Sequence, residues 1–311
     1  MSANIKHLVS NATFALDSGA MDNPNFKSGF AVLVGRTNVG KSTLLNALVG
    51  TKIAIVTPKP QTTRDTYHGI VTRPEGQIVF VDTPGIFKTQ PSKLVASLHH
   101  KVRDALEGVD VLVHVADPSR PIGPEDQRVL ELVSHATQPK ILVLNKLDLP
   151  SRPFREVWLQ RGSDYASVME VSALQGTNVE LVIRAILRHL PVGPPHYPEG
   201  QVTNVTNEFW IAELIREKLY LKTSQEVPYT ATVQLEKVED RVTKSGEPLL
   251  YIKAAILTTD DRHQRMLIGE GGRKIKDIGS FARKELEVAM NRKVFLDLDV
   301  LVDKHWMDRL P

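Results

Sequence analysis

The segment Gly35–Ser42 has the residue types and spacing of a phosphate-binding loop, G-x-x-x-x-G-K-S. Its glycines let the backbone curl so that N–H groups point at a phosphate. Lys41 supplies a positive charge for the β- and γ-phosphates, and Ser42 supplies a hydroxyl for Mg²⁺. An apolar, β-prone run precedes the loop, and an apolar run at helical spacing follows it. We therefore predict that a nucleotide's phosphates are bound by Gly35, Arg36, Thr37, Asn38, Val39, Gly40, Lys41, Ser42 and Thr43.

Two further polar motifs follow apolar, strand-like runs. Asp82 begins a D-T-P-G sequence, in which its carboxylate can hold Mg²⁺ through water and the Gly85 N–H can reach a γ-phosphate. Taken alone, this sequence is equally typical of a plain turn. Asn145 begins an N-K-L-D sequence, in which Asp148 can accept two hydrogen bonds from the N1 and N2 edge of guanine. Adenine lacks that pair of donors, so the motif predicts selection of guanine.

The same part of the chain offers the other contacts that a guanine base needs. The Asn145 side chain can bond N7, and the aliphatic stem of Lys146 can lie over the ring. After the next apolar run come Ser172, Ala173 and Leu174, whose backbone can meet the guanine O6. That last assignment depends only on the position of the tripeptide after a strand.

A sheet must position these motifs, because short apolar runs alternate with helical patterns between residues 29 and 190. This alternation predicts an α/β domain with a mostly parallel sheet and helices on both faces. Ligands of such sheets bind beyond the carboxyl ends of the strands, which is where the motifs fall. The predicted strands are 30–34, 67–72, 77–81, 109–116, 140–144 and 167–171, and the predicted helices are 43–49, 94–106, 125–135, 154–160 and 178–190.

Composition excludes several other classes of function. The 311 residues carry a net charge of +3, which by itself is too small to indicate nucleic-acid binding. The absence of cysteine rules out disulfides, thiolate nucleophiles and cysteine metal sites. No apolar run reaches the length of a membrane span, and the first residues lack the hydrophobicity of a signal peptide. We expect residues 1–28 to form a loosely ordered extension.

A second domain is predicted over 207–311, after a Pro- and Gly-rich linker at 191–206 that excludes a continuous helix. The pattern predicts a helix through Leu221 with Asn207 as its N-cap. Two strands follow at 229–242 and 249–257, and a last strand at 293–302 ends the domain.

A glycine-rich turn, Gly269-Glu270-Gly271-Gly272, opens a basic helix that carries Arg273, Lys274 and Lys276. Glycines let the main chain approach phosphates, and the three cations can neutralise them. The domain is neutral overall, with 18 basic and 18 acidic residues in 208–311, but 262–293 contains nine basic and four acidic residues. Such a charge run is usually a solvated helix face, and RNA binding is favoured here through the resemblance of the whole domain to an RNA-binding fold.

The ordered motifs resemble a small GTPase domain. Asn38 and the sequence Gln61-Thr62-Thr63-Arg64 resemble the bacterial translation-factor-like GTPases of the Era group. The element order of 207–311, with its G-x-x-G turn, resembles a type II KH domain, whose loop clamps about four single-stranded nucleotides. The resemblance covers about 29–311, which is nearly everything except the extension.

The resemblance implies two nucleotide-sensitive switches. Switch I would contain Gln61, Thr62, Thr63, Arg64 and Asp65, and switch II would contain Asp82, Thr83, Pro84, Gly85 and Ile86. Thr63 would cap the Mg²⁺, with Thr62 as the second choice, and Asn38 would be a ligand of K⁺ beside the β- and γ-phosphates. Ile86 cannot orient an attacking water, so intrinsic hydrolysis should be slow. We identify no residue as a catalytic base.

In function, the resemblance implies a GTPase of bacterial ribosome assembly that uses GTP, GDP and Mg²⁺. It would bind single-stranded ribosomal RNA near the 3′ end of the small-subunit RNA and aid maturation of the 30S subunit. We expect a monomer in the cytoplasm, with peripheral contact at the inner membrane. Two alternatives stay open. One is a GTPase that serves RNA modification, which would need a further catalytic or partner-docking domain for which we expect no room in this chain. The other is a KH protein whose nucleotide domain is a scaffold without useful turnover.

Several other residues are predicted to be structural. His99 and His100 are adjacent on a predicted helix and face different ways, which argues against a metal pair. His114 lies in an apolar strand, and we expect it to be a hydrogen-bonded core residue. Trp210 and Trp306 are expected to pack near the ends of the second domain.

Overall fold

The computed structural model describes residues 23–57, 67–82, 108–223 and 227–309. The chain divides into two compact units, one of Met1–Ala54 and Thr63–Asn204 and the other of Ile55–Thr62 and Val205–Pro311. The predicted helix at 94–106 and most of the predicted extension lie outside the described residues.

The first unit is built on one mixed sheet. Its strands are β1 (Lys27–Val34), β2 (Tyr67–Arg73), β3 (Gly76–Asp82), β4 (Val111–Ala116), β5 (Lys140–Leu144) and β6 (Ser167–Glu170). They lie in the order β2-β3-β1-β4-β5-β6, and all neighbours are parallel except the antiparallel pair β2 and β3. The mostly parallel sheet expected from the sequence is therefore confirmed.

The burial of the central strands reflects cover on both faces of the sheet. Every residue of β3 and of β4 is buried, as expected for strands of a parallel sheet between helical layers. The described helices of this unit are α1 (Lys41–Val49), α2 (Pro124–Ser134), α3 (Arg155–Leu159) and α4 (Val179–His189). Strand β1 begins at Lys27 rather than at Phe30, because Lys27 and Ser28 pair with the start of β3.

Residues 191–204, most of the predicted linker, pack against this sheet. The Ile70 N–H donates to the Val202 carbonyl at 2.8 Å, which gives β2, the edge strand of the sheet, an external partner. The Gln77 side chain, which is fully buried, exchanges two hydrogen bonds of 2.9 Å with the backbone of Tyr197. The prolines prevent a helix in this segment, but the backbone carbonyls can still accept hydrogen bonds. The segment can therefore lie extended along the sheet.

The second unit has the element order of a type II KH domain. Its elements are α5 (Asn207–Leu221), α6 (Val227–Thr230), β7 (Ala231–Val242), β8 (Pro248–Thr258), α7 (Asp261–Ile268), α8 (Arg273–Met290) and β9 (Lys293–Val302). The strands lie in the order β7-β8-β9, with β7 antiparallel and β9 parallel to β8. This confirms the predicted fold class.

Two local predictions in the second unit are wrong. The N-cap of α5 is Thr206, not Asn207, because the Thr206 side chain accepts a hydrogen bond from the Phe209 N–H at 3.2 Å. The residues before Ala231 form the short helix α6 instead of the start of a strand. Helices α5 and α8 cover the sheet, with Ile278 and Leu286 of α8 fully buried and Ile275 partly buried.

Candidate functional site

The predicted nucleotide motifs meet at one edge of the first sheet. The phosphate loop follows β1, Asp82 ends β3, Asn145 follows β5, and Ser172 comes just after β6. These strands are parallel to one another, so their carboxyl ends lie at the same edge. Strand β4 lies between β1 and β5, and the residue that follows it is Asp117.

The glycines of the phosphate loop are required by close contacts with strand β4 and with the N-K-L-D loop. A Cβ on Gly35 would lie 2.5 Å from the Val115 carbonyl oxygen. Gly40 has a φ of +98°, and a Cβ there would lie 2.3 Å from Nδ2 of Asn145. Asn38 also has a positive φ, of 60°. Because side chains are excluded, the backbone of the loop can curl tightly between β1 and the start of α1.

Lys41 is held inside this loop. Its Nζ donates to the Gly35 and Arg36 carbonyls, each at 3.1 Å, and the residue is 6% exposed. Burial lowers the pKa of Lys41 to about 8; the charge of Arg36 adds to the shift, and the carboxylate of Asp82 opposes it. A phosphate at the loop would therefore favour the charged form of this amine.

Ser42 and Asp82 bring a hydroxyl and a carboxylate oxygen together beside the loop. The Ser42 hydroxyl donates to Oδ2 of Asp82 at 3.2 Å, and Asp82 is fully buried. Hydroxyl and carboxylate oxygens are the ligands that Mg²⁺ prefers, so the two residues fit that ion. Among the described residues, no cluster of three or more His, Cys, Asp or Glu side chains could hold another metal.

The predicted guanine motifs also contact one another. The buried Asn145 amide donates to the Val39 carbonyl at 2.8 Å and accepts from the Ala173 N–H at 3.0 Å. The Ser172 hydroxyl donates to Asp148 Oδ1 at 2.5 Å. These bonds tie the N-K-L-D loop to the phosphate loop and to the S-A-L loop. The contacts to guanine N7, O6, N1 and N2 stay predictions.

A buried group of charges, absent from the sequence prediction, surrounds Arg36. Its guanidinium contacts Asp117 at 3.3 Å and Asp126 at 3.1 Å. The Lys146 ammonium contacts the same Asp117 oxygen at 2.6 Å. Thr37 of the phosphate loop donates to Glu125 at 3.2 Å. The position of Asp117 directly after a buried strand was the available signal, but its partners are far away in the sequence.

The switch predictions fall mainly outside the described residues. Of switch I, none of Gln61, Thr62, Thr63, Arg64 and Asp65 is described, and of switch II only Asp82 is described, without Thr83, Pro84, Gly85 and Ile86. His99 and His100 are also outside the described residues.

The glycine-rich turn of the second unit lies between α7 and α8 with its backbone in left-handed conformations. Gly269, Gly271 and Gly272 have φ values of 73°, 56° and 74°. A Cβ on Gly269 would lie 2.8 Å from Cβ of Lys274, whereas no atom lies within 4 Å of a Cβ on Gly272. Gly272 therefore leaves open space at the start of α8, where a nucleic-acid backbone could approach.

Cations flank this open position. Arg273 and Lys276 are exposed, and Lys274 is partly exposed. Within the described part of the chain, neither Arg273 nor Lys276 forms an ion pair, so both charges face solvent. Glu270, within the turn, is exposed as well. The arrangement fits a polyanion better than a cationic or apolar ligand.

The described residues that were predicted to be structural are packed or hydrogen-bonded inside the two units. His114 is 1% exposed and shares a hydrogen bond of 2.7 Å with the Tyr165 hydroxyl, and burial lowers its pKa to about 3. Trp306 is buried against Ala255 and Leu257, and Trp210 packs at the margin of the KH core. No helix among the described ranges is long and apolar enough to span a membrane.

Comparison with protein families gives two matches along this chain. Residues 30–146 match a family described as 50S ribosome-binding GTPase, and residues 226–307 match the KH domain. The chain is 40% identical over 290 residues to GTPase Era of Halothermothrix orenii, with 92% of this chain and 96% of that protein covered. It is 41% identical over 288 residues to GTPase Era of Caldicellulosiruptor saccharolyticus, with 91% and 94% covered.

Two solved structures resemble the whole chain. One is Era in complex with MgGDPNP and nucleotides 1506–1542 of 16S ribosomal RNA, with a TM-score of 0.81 and 34% identity. The other is a variant of Aquifex aeolicus Era bound to GDP·AlF4⁻, with a TM-score of 0.81 and 33% identity. Each similarity covers 91% of this chain and 96% of the other chain.

Proposed function

The chain belongs to the Era family of GTPases, and on that premise we propose that it binds GTP with Mg²⁺ and hydrolyses it to GDP and phosphate. The observation that carries this proposal is the meeting of the phosphate loop, the Ser42–Asp82 pair and the N-K-L-D loop at one sheet edge. Mg²⁺ held by Ser42, and by Asp82 through water, would neutralise charge on the β- and γ-phosphates.

The second part of the proposal is RNA binding in ribosome assembly. The 207–311 domain would bind single-stranded ribosomal RNA near the 3′ end of the small-subunit RNA, in maturation of the 30S subunit. Its support is the open, left-handed Gly272 flanked by exposed cations, together with an Era relative solved with a segment of 16S ribosomal RNA. The RNA-contacting residues would be Gly269, Glu270, Gly271, Gly272, Arg273, Lys274 and Lys276.

The residue roles proposed for the nucleotide follow the sequence motifs. Gly35–Thr43 would bind the phosphates within a GTP-binding domain at 29–190. Asn145, Lys146, Asp148 and the 172–174 backbone would bind guanine. Thr63 would complete the Mg²⁺ site, and Asn38 would be a ligand of K⁺. A cytoplasmic monomer with peripheral contact at the inner membrane completes the proposal, and cell fractionation with gel filtration tests that part.

Steady-state phosphate release from GTP is the experiment that tests the function. We expect slow turnover, because Ile86 cannot orient a water, and faster turnover when a short strand from the 3′ end of small-subunit ribosomal RNA is added. No release under either condition would leave only the scaffold alternative. The same assay in potassium and in sodium buffer tests Asn38: we expect faster release in potassium, and equal rates would count against a K⁺ site.

The buried Lys41 makes a specific prediction about protons. With the pKa of Lys41 lowered to about 8 in the free protein, a larger fraction of the Lys41 amines is neutral at pH 8.5 than at pH 7.5. Phosphate binding favours the charged form, so GDP binding should take up protons, and the uptake should rise between these two pH values.

Calorimetry of GDP binding in buffers with different ionisation enthalpies measures this uptake directly. Apparent affinity should also fall as pH rises above 8, because the protein must then bind a proton to bind the phosphate. An uptake that does not change with pH would show that Lys41 is already charged in the free protein.

A further inference from the structure

One carboxylate, that of Asp117, contacts both Arg36 of the phosphate loop and Lys146 of the N-K-L-D loop. Its Oδ2 accepts from Arg36 Nη2 at 3.3 Å and from Lys146 Nζ at 2.6 Å. Its Oδ1 accepts from the Ser119 N–H at 3.0 Å and from the Ser119 hydroxyl at 2.6 Å. All four donors therefore converge on a side chain that has no exposed surface.

The burial of this group makes its pairing energetically important. A buried carboxylate is costly unless its charge is compensated and its oxygens are hydrogen-bonded. Burial acts to raise the pKa of Asp117, but hydrogen bonds from Lys146 and Ser119 outweigh it, so the pKa lies below its ordinary value and the group is charged at neutral pH. Arg36, Lys146, Asp117 and Asp126 together carry no net charge.

The Lys146 backbone shows that this arrangement has a conformational cost. Lys146 has a φ of 65°, in the left-handed region that non-glycine residues rarely adopt. The bond from its ammonium to Asp117 fixes the far end of the side chain, while the left-handed backbone fixes the near end. Both ends of the Lys146 side chain are therefore fixed without a bound nucleotide.

We propose that Asp117 is a positioning residue that couples guanine recognition to the phosphate loop by holding Lys146 and Arg36 with one carboxylate. The proposal rests on the proposed function of this site as a GTP site. Pre-ordering both side chains lowers the conformational entropy that nucleotide binding would otherwise have to remove. Asp126 contacts Arg36 through Nε but does not contact Lys146, so it supplies a matched control.

The test is a double-mutant cycle on GDP affinity, measured with a fluorescent GDP analogue and GDP competition in the full-length protein. We expect Asp117→Asn and Lys146→Met each to weaken binding roughly tenfold or more, because each removes the contact that orders the N-K-L-D loop before the nucleotide binds. Together they should weaken binding little more than either alone, since both remove the same contact. Asp126→Asn combined with Lys146→Met should come closer to the product of the two single effects, because Asp126 is linked to Lys146 only through Arg36 and Asp117.

A second variant covers the case in which Asp117→Asn does not fold. Ser119→Ala removes only the hydroxyl that orients Asp117 Oδ1, and it should weaken GDP binding about threefold and non-additively with Lys146→Met. Thermal melting identifies variants that are merely unstable. If wild type binds GDP and the double variant loses affinity by the product of the two single losses, the coupling proposal is wrong. The proposed GTP site would stand in that case. If wild type does not bind GDP, the GTP site and the coupling are both overturned.

Discussion

Gly40→Ala is expected to weaken GDP binding by a factor of about a hundred or more, whereas Gly50→Ala should leave the affinity within about twofold of wild type. The two glycines flank α1, and both have a left-handed backbone, with φ values of 98° and 81°. They differ in the space around a new methyl group. The pair therefore separates the effect of backbone strain from the effect of displacing the nucleotide loops.

The large effect at Gly40 comes from Asn145. A Cβ on Gly40 would lie 2.3 Å from Asn145 Nδ2, a distance that requires movement of the loop or of the amide. Asn145 also bonds Val39 and Ala173, so either movement disturbs the phosphate loop and the base-recognition loops together. At Gly50 no atom lies within 4 Å, and only the left-handed conformation is penalised, by about 1–2 kcal/mol.

Isothermal titration of both variants with GDP measures the affinities, and thermal melting gives the stability of each. We expect both variants to melt at a lower temperature than wild type, with only Gly40→Ala losing the nucleotide. If Gly40→Ala binds GDP as tightly as wild type, the close contact between the new methyl group and Asn145 is relieved without a loss of affinity. That result would contradict the proposal that this loop binds the phosphates.

Gly272→Asp is the second substitution with a large expected effect, on RNA. It should weaken binding of a short strand from the 3′ end of small-subunit ribosomal RNA by roughly tenfold or more. The reason is that a carboxylate would occupy the open space at the glycine-rich turn and repel an RNA phosphate. The same side chain at Gly246, in the turn between β7 and β8, provides the control. Gly246 also has a left-handed backbone, with a φ of 84°, and no atom lies within 4 Å of a Cβ there.

Fluorescence anisotropy near 0.15 M salt measures both affinities under conditions that screen distant charges beyond about 8 Å. Gly246→Asp adds the same charge to the same domain, so we expect it to bind RNA within about threefold of wild type. Equal losses in the two variants would mean that net charge, not the glycine-rich turn, governs binding. In the turnover assay, Gly272→Asp should also lose the stimulation by RNA while it keeps the basal rate.

The sequence by itself determined the features that depend on neighbouring residues. The phosphate loop, the N-K-L-D loop and the glycine-rich turn are recognisable because their chemistry comes from residues a few positions apart, as with Gly40, Lys41 and Ser42. The alternation of strands and helices likewise predicted a mostly parallel sheet, and hence the edge at which the motifs meet. The sheet topology confirms that prediction.

Only the tertiary structure decided the contacts between distant segments. In the sequence, Asp117 is only an aspartate before a proline. Its contacts with Arg36 and Lys146 are evident only in the structure, where it follows the buried strand β4. Similarly, the prolines after 190 predict that a helix is absent, but not that Val202 pairs with the edge strand β2. Local patterns specify conformation and composition, whereas the partners of a buried charge or an edge strand depend on which segments the packed sheet brings together.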